Sequence, residues 1–332
     1  MNISVLYNKP TQRFSDTSKN VEAEEDTQES AEEVLEALEK KKYHATLVPI
    51  TEDTIPETVA LLSTSDLVFN LIEWTGVDAH FAADVYDLFA KKKIKFTGAT
   101  KESYFLSCDK VAMKKRLDKG GFATARWQAF ETGDEPIRDD LIFPVIVKVS
   151  LEHSSVGLSK EAIIEDPDKL QKFVKKQIHK FKQPVLAEQF LTGREFQVTL
   201  LDTKKGLVVL PPSEVVYYKG TDVPFLTYES RWNADHPDFD NSTVVIAKLS
   251  PEMTKEIEEM SKQVFISMGY RDYARFDVRC LGDQPMFLEV NSNPGLSDDP
   301  QYGMTVSYKS VGMTFADVIE EIVESARRRY GM

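Results

Sequence analysis

The sequence is short of cysteine: it has two in 332 residues, Cys108 and Cys280, far apart in the chain. That scarcity excludes a disulfide framework and a cysteine-built zinc site. It is also short of positive charge, with 41 Lys and Arg against 54 Asp and Glu and a net charge of −13. A general binder of nucleic acid or of an anionic membrane is thereby excluded, since neither polyanion would be attracted. A local basic pocket for a nucleotide stays compatible with that balance. No apolar run approaches the roughly 20 residues of a membrane span. The opening MNISVLYNKP carries no basic n-region, no long apolar segment and no cleavage signal, so the cytoplasm is the expected location. Repeats, low-complexity tracts and disordered linkers are missing too. What is present is ordinary for a globular protein, 42% hydrophobic and 29% charged residues, in a chain long enough for two or three domains with cores of their own.

The first hundred residues alternate strand and helix signals. Strands are expected at Ile3–Tyr7, Ala45–Ile50, Asp66–Leu71 and, briefly, Lys95–Thr97. Helices are expected at Glu24–Lys42, Ile55–Leu62 and Phe81–Lys92. Repeated β-α-β of this kind implies a parallel sheet with helices on both faces. Beyond it, one helix is expected over 102–122, stopped by Gly120-Gly121, and strands at Trp127–Phe130, Pro144–Val149, Ile163–Ile164, Val185–Phe190, Glu195–Leu201 and Val208–Tyr218. Helices at Pro167–His179, Glu252–Met268 and Phe315–Arg329 complete the pattern, with a long aromatic and polar loop near 219–243 of the length that is often functional.

The most informative segment is RFDVRCLGDQPMFLEVNSNPG, from Arg275 to Gly295. It reads as two strands joined by a turn at Leu281–Pro285. Arg275 and Asp277 are two apart, as are Glu289 and Asn291, so each pair shares a strand face. Two carboxylates and a carboxamide oxygen suit Mg²⁺, which is usually held by one or two carboxylates together with substrate phosphates. An adjacent arginine suits a developing oxyanion or a phosphoryl group. The apolar Phe276, Val278, Phe287, Leu288 and Val290 are expected on the opposite, buried face. A plain solvated hairpin fits the same pattern.

Two further segments carry chemistry. In PVIVKVSLEHSSVGLS, 144–159, Lys148 stands in a β-branched strand, where a charge needs a partner, and the loop after it offers Ser154, Ser155 and Gly157, whose backbone N–H groups suit phosphate oxygens. An edge-strand lysine followed by a Ser-Ser turn is the plainer alternative. In VLAEQFLTGREFQV, 185–198, backbone groups at Glu188, Gln189, Phe190 and Leu191 suit an adenine edge and Glu195 a ribose, although a strand-turn-strand with surface acids reads the same.

The pieces VIVKVS-x-EHSSVGLS, LAEQFLTGREF, YESRW, ARFDV and FLEVNSNPG stand in the order and spacing of the ATP-grasp ligases, and the chain from about Lys101 onward resembles the D-alanine–D-alanine ligase family. The resemblance implies an α/β ATP-grasp fold with an N-terminal, Rossmann-like parallel-sheet domain at 1–100, a central subdomain at 101–190 and a C-terminal subdomain at 191–332. It implies a cytoplasmic, ADP-forming carboxylate–amine ligase that works through an acyl phosphate on small amino-acid substrates in cell-wall peptidoglycan synthesis, and it leaves a homodimer open. ATP is the implied co-substrate and Mg²⁺ the implied metal, two ions, with Mn²⁺ as an alternative.

The same resemblance implies individual roles. Lys110, Lys148 and Arg231 would contact phosphates, with Arg231 standing where the family has a loop lysine. Ser155 and the 153–157 amides would cover them, and Ser154 would join the substrate-side hydrogen bonds. Residues 188–191 and Phe225 would hold adenine and Glu195 the ribose. Asp277, Glu289 and Asn291 would hold metal, while Arg275 and the N–H of Gly295 would form the oxyanion hole.

Departures from the family pattern gather on the substrate side. The first strand runs into Tyr7-Asn8-Lys9-Pro10 rather than a Gly-Gly-x-Ser opening, and the ammonium-binding glutamate has no clean counterpart, with Glu22, Glu24 and Glu25 as candidates. Trp232 stands for a tyrosine and His153 for a glycine, and Leu296-Ser297-Asp298-Asp299-Pro300 replaces a small polar run. A ligase for other amino acids, and an ATP-binding module without turnover, are the alternatives.

Overall fold

The computed structural model describes residues 1–9, 21–74, 76–218, 225–233, 235–239 and 241–332. Its N-terminal part is a parallel sheet in the order β2-β1-β3, from β1 (Asn2–Asn8), β2 (His44–Ile50) and β3 (Leu67–Leu71). Helices α1 (Val21–Lys40), α2 (Ile55–Leu62) and α3 (Ala79–Lys92) connect and cover these strands. The segment expected as a fourth strand, Lys95–Thr97, pairs with β3 at a single residue, Val68 with Phe96. Its ladder stops because the Thr97 hydroxyl, rather than a backbone carbonyl, accepts the Asn70 N–H.

The helix expected over 102–122 is two helices, α4 (Lys101–Cys108) and α5 (Lys110–Lys119). Asp109 between them is extended, and its Oδ1 accepts the N–H groups of Val111 and Ala112. Such a cap is worth about 1 kcal/mol and restarts the helix at Lys110. The same oxygen accepts the Ser150 hydroxyl at 2.9 Å, which ties the break to the end of the strand that closes at Val149.

Strands β4 (Trp127–Phe130), β5 (Val145–Val149), β6 (Ile163–Ile164) and β7 (Val185–Gln189) form a second sheet in the order β4-β7-β5-β6, backed by α6 (Pro167–Phe181). The third sheet holds β8 (Glu195–Thr203), β9 (Gly206–Val209), β10 (Ser213–Tyr217), β11 (Ser242–Ile246), β12 (Tyr273–Leu281) and β13 (Gln284–Asn291), in the order β11-β10-β8-β12-β13 with β9 on β8. The strand expected at Val208–Tyr218 divides into β9 and β10 at Pro211-Pro212, which have no N–H for a ladder. The expected loop 219–243 contains α7 (Tyr228–Trp232) and the start of β11. After α8 (Pro251–Ser267) and the hairpin come α9 (Gly303–Ser310), which carries no strong sequence signal, and α10 (Phe315–Tyr330).

The core around β1 and β3 is shared. Val5, Phe69 and Leu38 pack with Tyr273, Tyr308, Ile319 and Ile322, so α9 and α10 close one side of the N-terminal sheet. A buried carboxylate pins that junction. Asp272 accepts from the N–H of Gly98 at 2.7 Å, from the Ser325 hydroxyl at 2.7 Å and from the Arg329 guanidinium. Breaking a buried pair by removing one charge costs about 3–5 kcal/mol. We therefore expect Asp272→Asn, which keeps the residue's size, to lower the unfolding free energy by about 3 kcal/mol in urea denaturation followed by circular dichroism.

Candidate active site

The hairpin β12–β13 is antiparallel, with Arg275 opposite Asn291 and Asp277 opposite Glu289. All four side chains therefore stand on one face, on both strands rather than on one. The turn is tighter than the sequence suggests: Leu281 pairs with Gln284, and Gly282 at φ +59 supplies the left-handed residue that a two-residue connection needs. A register shift at Asp277/Val278 makes Leu288 an extra residue. This bulge corrects the expected faces. Phe287 is carried into the core with Phe276, Val278 and Val290, and Leu288 lines the cavity instead.

Arg275 donates to both oxygens of Asp277, at 3.1 and 3.2 Å, and the Asn291 carboxamide lies 3.3 Å from Asp277 Oδ2. Glu289 faces two lysines, Lys148 at 3.6 Å and Lys110 at 3.7 Å. Burial opposes ionisation of Glu289, but these lysines outweigh it and hold its carboxyl well below the usual range. Among the described residues no three His, Cys, Asp or Glu side chains cluster to hold an ion unaided. Two carboxylates and a carboxamide are the donor set expected where phosphate oxygens supply the remaining ligands.

Lys110 opens α5, and its ammonium donates to the Glu152 carbonyl. Lys148, on β5, makes a 2.7 Å ion pair with Glu188 of β7, which is wholly buried and also pairs with Lys114 of α5 at 2.6 Å. Burial penalises the Glu188 charge, yet the two lysines keep this carboxyl ionised, below its ordinary range. The expected site at Glu188 thus consists of its backbone and of a side chain committed to internal ion pairs.

Beyond Lys148 the cavity turns apolar. Ile146, Phe225, Phe190 and Leu158 pack together, with Phe190 and Phe225 edge to face at 6.0 Å. Gln189 and Leu191 line the same end. Glu195, at the start of β8, accepts from Tyr217 at 3.1 Å and pairs with Arg279 at 3.3 Å; burial nevertheless raises its pKa. Gly193 is required just before it, because a Cβ there would stand 2.3 Å from the Cys280 carbonyl oxygen.

Two loops close over this arrangement and hold each other. Ser154 and Ser155 have φ of 54 and 62, a left-handed turn that re-aims successive N–H groups. Trp232 donates its indole N–H to the Ser154 carbonyl at 3.0 Å, and the Ser155 hydroxyl donates to the Leu226 carbonyl at 3.1 Å. Trp232 also lies under the Arg231 guanidinium, 5.0 Å from the ring centre, and Arg231 lines the cavity. His153 opens the loop and lines the cavity. Burial, reinforced by the nearby Lys110 charge, pushes its imidazole down to about 4 and leaves it neutral near pH 7.

The residues given catalytic, nucleotide or metal roles by the resemblance, Gly295 and Asn291 included, all border this one cavity, whereas Gly157 of the phosphate loop does not line it. Lys114, Arg279, Ile146 and Leu158 were not anticipated. Lys114 is four residues from Lys110, on one helix face, and Arg279 continues the alternation of Arg275 and Asp277; both were readable from spacing. Asp298 and Asp299 lie off the cavity, and Asp298 is taken by Tyr308 at 2.6 Å and Lys309 at 2.8 Å. The side chains of Glu22, Glu24 and Glu25 fall outside the described residues.

The family model for the D-ala D-ala ligase C-terminus matches residues 117–324. An uncharacterised protein, y4sG, of Sinorhizobium fredii is 32% identical over 271 residues, covering 81% of this chain and 77% of its own. The D-alanine–D-alanine ligase of Thermotoga petrophila is 29% identical over 302 residues, 90% of this chain and 91% of its own. The crystal structure of D-alanine–D-alanine ligase from Bacillus anthracis complexed with ATP superposes with a TM-score of 0.75 at 19% identity, over 99% of this chain and 98% of that one, which shows a common fold. A match over more than half the sequence, reached after the fold and the converging hairpin face are in place, settles the kinship: this chain belongs to the D-alanine–D-alanine ligase family of ADP-forming ATP-grasp ligases.

Proposed function

We propose that the protein joins two amino acids by activating the carboxylate of one as an acyl phosphate, with D-alanine for both substrates as the first reading. The single observation that carries it is the convergence of Arg275, Asp277, Glu289 and Asn291 on one hairpin face, opposite Lys110 and Lys148. A carboxylate resists amine attack because oxide is a poor leaving group. Transfer of the γ-phosphoryl group converts that oxygen into a phosphate, which leaves readily. Lys110, Lys148 and Arg231 bear on the phosphate charge. The apolar end walled by Ile146, Phe190 and Phe225 takes the adenine, with the backbone of 188–191 on its edge and Glu195 at the ribose. Asp277, Glu289 and Asn291 are the residues that would hold Mg²⁺, two ions in this reading, which when bound neutralises phosphate charge.

Arg275 and the N–H of Gly295 then face the oxyanion formed when the second substrate's amine attacks the acyl carbon. Water would destroy the acyl phosphate, so the 153–157 loop and the 226–232 segment, linked through Trp232 and Ser155, serve as the cover. Ser154 contributes on the substrate side. The three units 1–100, 101–190 and 191–332 fit this division of labour, each supplying one sheet, and a cytoplasmic setting suits a consumer of ATP. No described helix is long and apolar enough to cross a membrane.

The altered run after Gly295 makes the substrate pair the point to test. ADP release, with product identification by mass spectrometry, should be measured over D- and L-amino acids offered singly and in pairs. D-alanine alone is expected to give D-alanyl-D-alanine. Turnover only with L-amino acids or with other amines would retain the ligase and remove the D-alanine reading.

A further inference from the structure

We propose that Lys114, which does not line the cavity, is a positioning residue that fixes Glu188 and thereby frees the Lys148 charge to act on the nucleotide. The proposal rests on the reading of Lys148 as a phosphate contact. Lys114 is wholly buried; its ammonium makes an ion pair with Glu188 Oε2 at 2.6 Å and donates to the Thr124 hydroxyl at 2.6 Å and the Phe287 carbonyl at 3.3 Å. Two hydrogen bonds and one ion pair, from three different segments of the chain, hold the group in place. Thr124 is fixed in turn, donating to the same Phe287 carbonyl at 2.8 Å.

Glu188 presents its other oxygen, Oε1, to Lys148 at 2.7 Å. One cation would already neutralise this carboxylate, and Lys148 alone would meet that need. Lys114 therefore supplies a second cation that the pairing of Glu188 does not require. A buried ion pair is also a poor device for stability alone, since apolar replacements of similar shape are often as stable. The extra cation has a definite electrostatic consequence. With Lys114 on Oε2 the carboxylate charge is shared, and Lys148 keeps charge to direct at Glu289, 3.6 Å away, and at the cavity it lines. Without Lys114, Lys148 becomes the sole counter-ion of a wholly buried acid and is drawn toward it. The arrangement also links α5, β7, β5 and β13, so one side chain registers the two sheets that face each other across the site.

The test is a double-mutant cycle on full-length protein, with K114M, K148M and K114M/K148M compared in steady-state ADP release. K114M is expected to raise the KM for ATP about tenfold with a smaller change in kcat, and to cost at most about twofold more when K148M is already present. Equal kinetic costs of K114M in both backgrounds would overturn the proposal and leave Lys114 a plain tether. If K114M does not fold, Thr124→Val removes one acceptor without changing charge. It should raise the KM by about threefold in wild type and not at all beside K148M, and equal costs would again count against it. An ATP KM untouched by K148M alone would remove the phosphate role of Lys148, and this proposal with it; D-alanine dependence of ADP release in the wild type reports separately on the ligase reading.

Discussion

Replacing Asp277 and Glu289 together by their amides, D277N/E289Q, is expected to lower ADP formation by at least about 10³. A metal ion contributes several kcal/mol of charge stabilisation in phosphoryl transfer, and about 4 kcal/mol corresponds to that factor at 1.36 kcal/mol per tenfold. The amides keep the shape of the hairpin, and its core side, Phe276, Val278, Phe287 and Val290, is untouched. Lys148 retains Glu188 as partner, so no buried cation there is stranded. The loss should therefore appear in turnover with the folded state preserved, which circular dichroism checks alongside the kinetics. Nucleotide consumption at the wild-type rate would show that the hairpin acids do not serve phosphoryl transfer, and the proposed chemistry would go with them.

The second large effect is expected at Arg275. Loss of one oxyanion donor typically costs about 10²–10³ in kcat, so Arg275→Met should fall in that range while the KM for ATP changes little. Arg275 also orients Asp277 through two hydrogen bonds. Arg275→Lys separates the two contributions, because lysine keeps the charge but not the planar fork. It is expected to recover only part of the lost rate. Should Arg275→Met keep more than about a tenth of wild-type kcat, the tetrahedral oxyanion has another stabiliser and the assignment of Arg275 fails.

The parts legible in the sequence were those with a strong local period. Strands β1, β2 and β5 and helices α2, α6 and α10 follow apolar spacing closely. The site was legible wherever residues two apart on a strand decide a face, as at Arg275 and Asp277. Failures came where a single side chain overrides the local pattern. Asp109 ends one helix and begins the next with its own carboxylate, a cap set inside what looks like one amphipathic run. Thr97 ends a strand by substituting its hydroxyl for a backbone acceptor. The bulge at Leu288 exchanges faces without any glycine to announce it. For Glu188 the sequence offered a backbone role at adenine or a plain surface acid, and neither names its side-chain ion pairs, because Lys114 and Lys148 lie 74 and 40 residues away in the chain. Charge partners on separate strands and helices leave no trace in a one-dimensional period.

The contact between Lys148 on β5 and Glu289 on β13 spans two different sheets. Neither sheet owns a complete set of charges. Substitutions in the packing behind the cavity, at Met113 or Leu117 on the core face of α5 for instance, would thus reach the chemistry as a change of spacing between opposite charges. Drift in the core and loss of rate are coupled in this architecture, and variants selected for altered packing should carry kinetic scars even when every polar residue is intact.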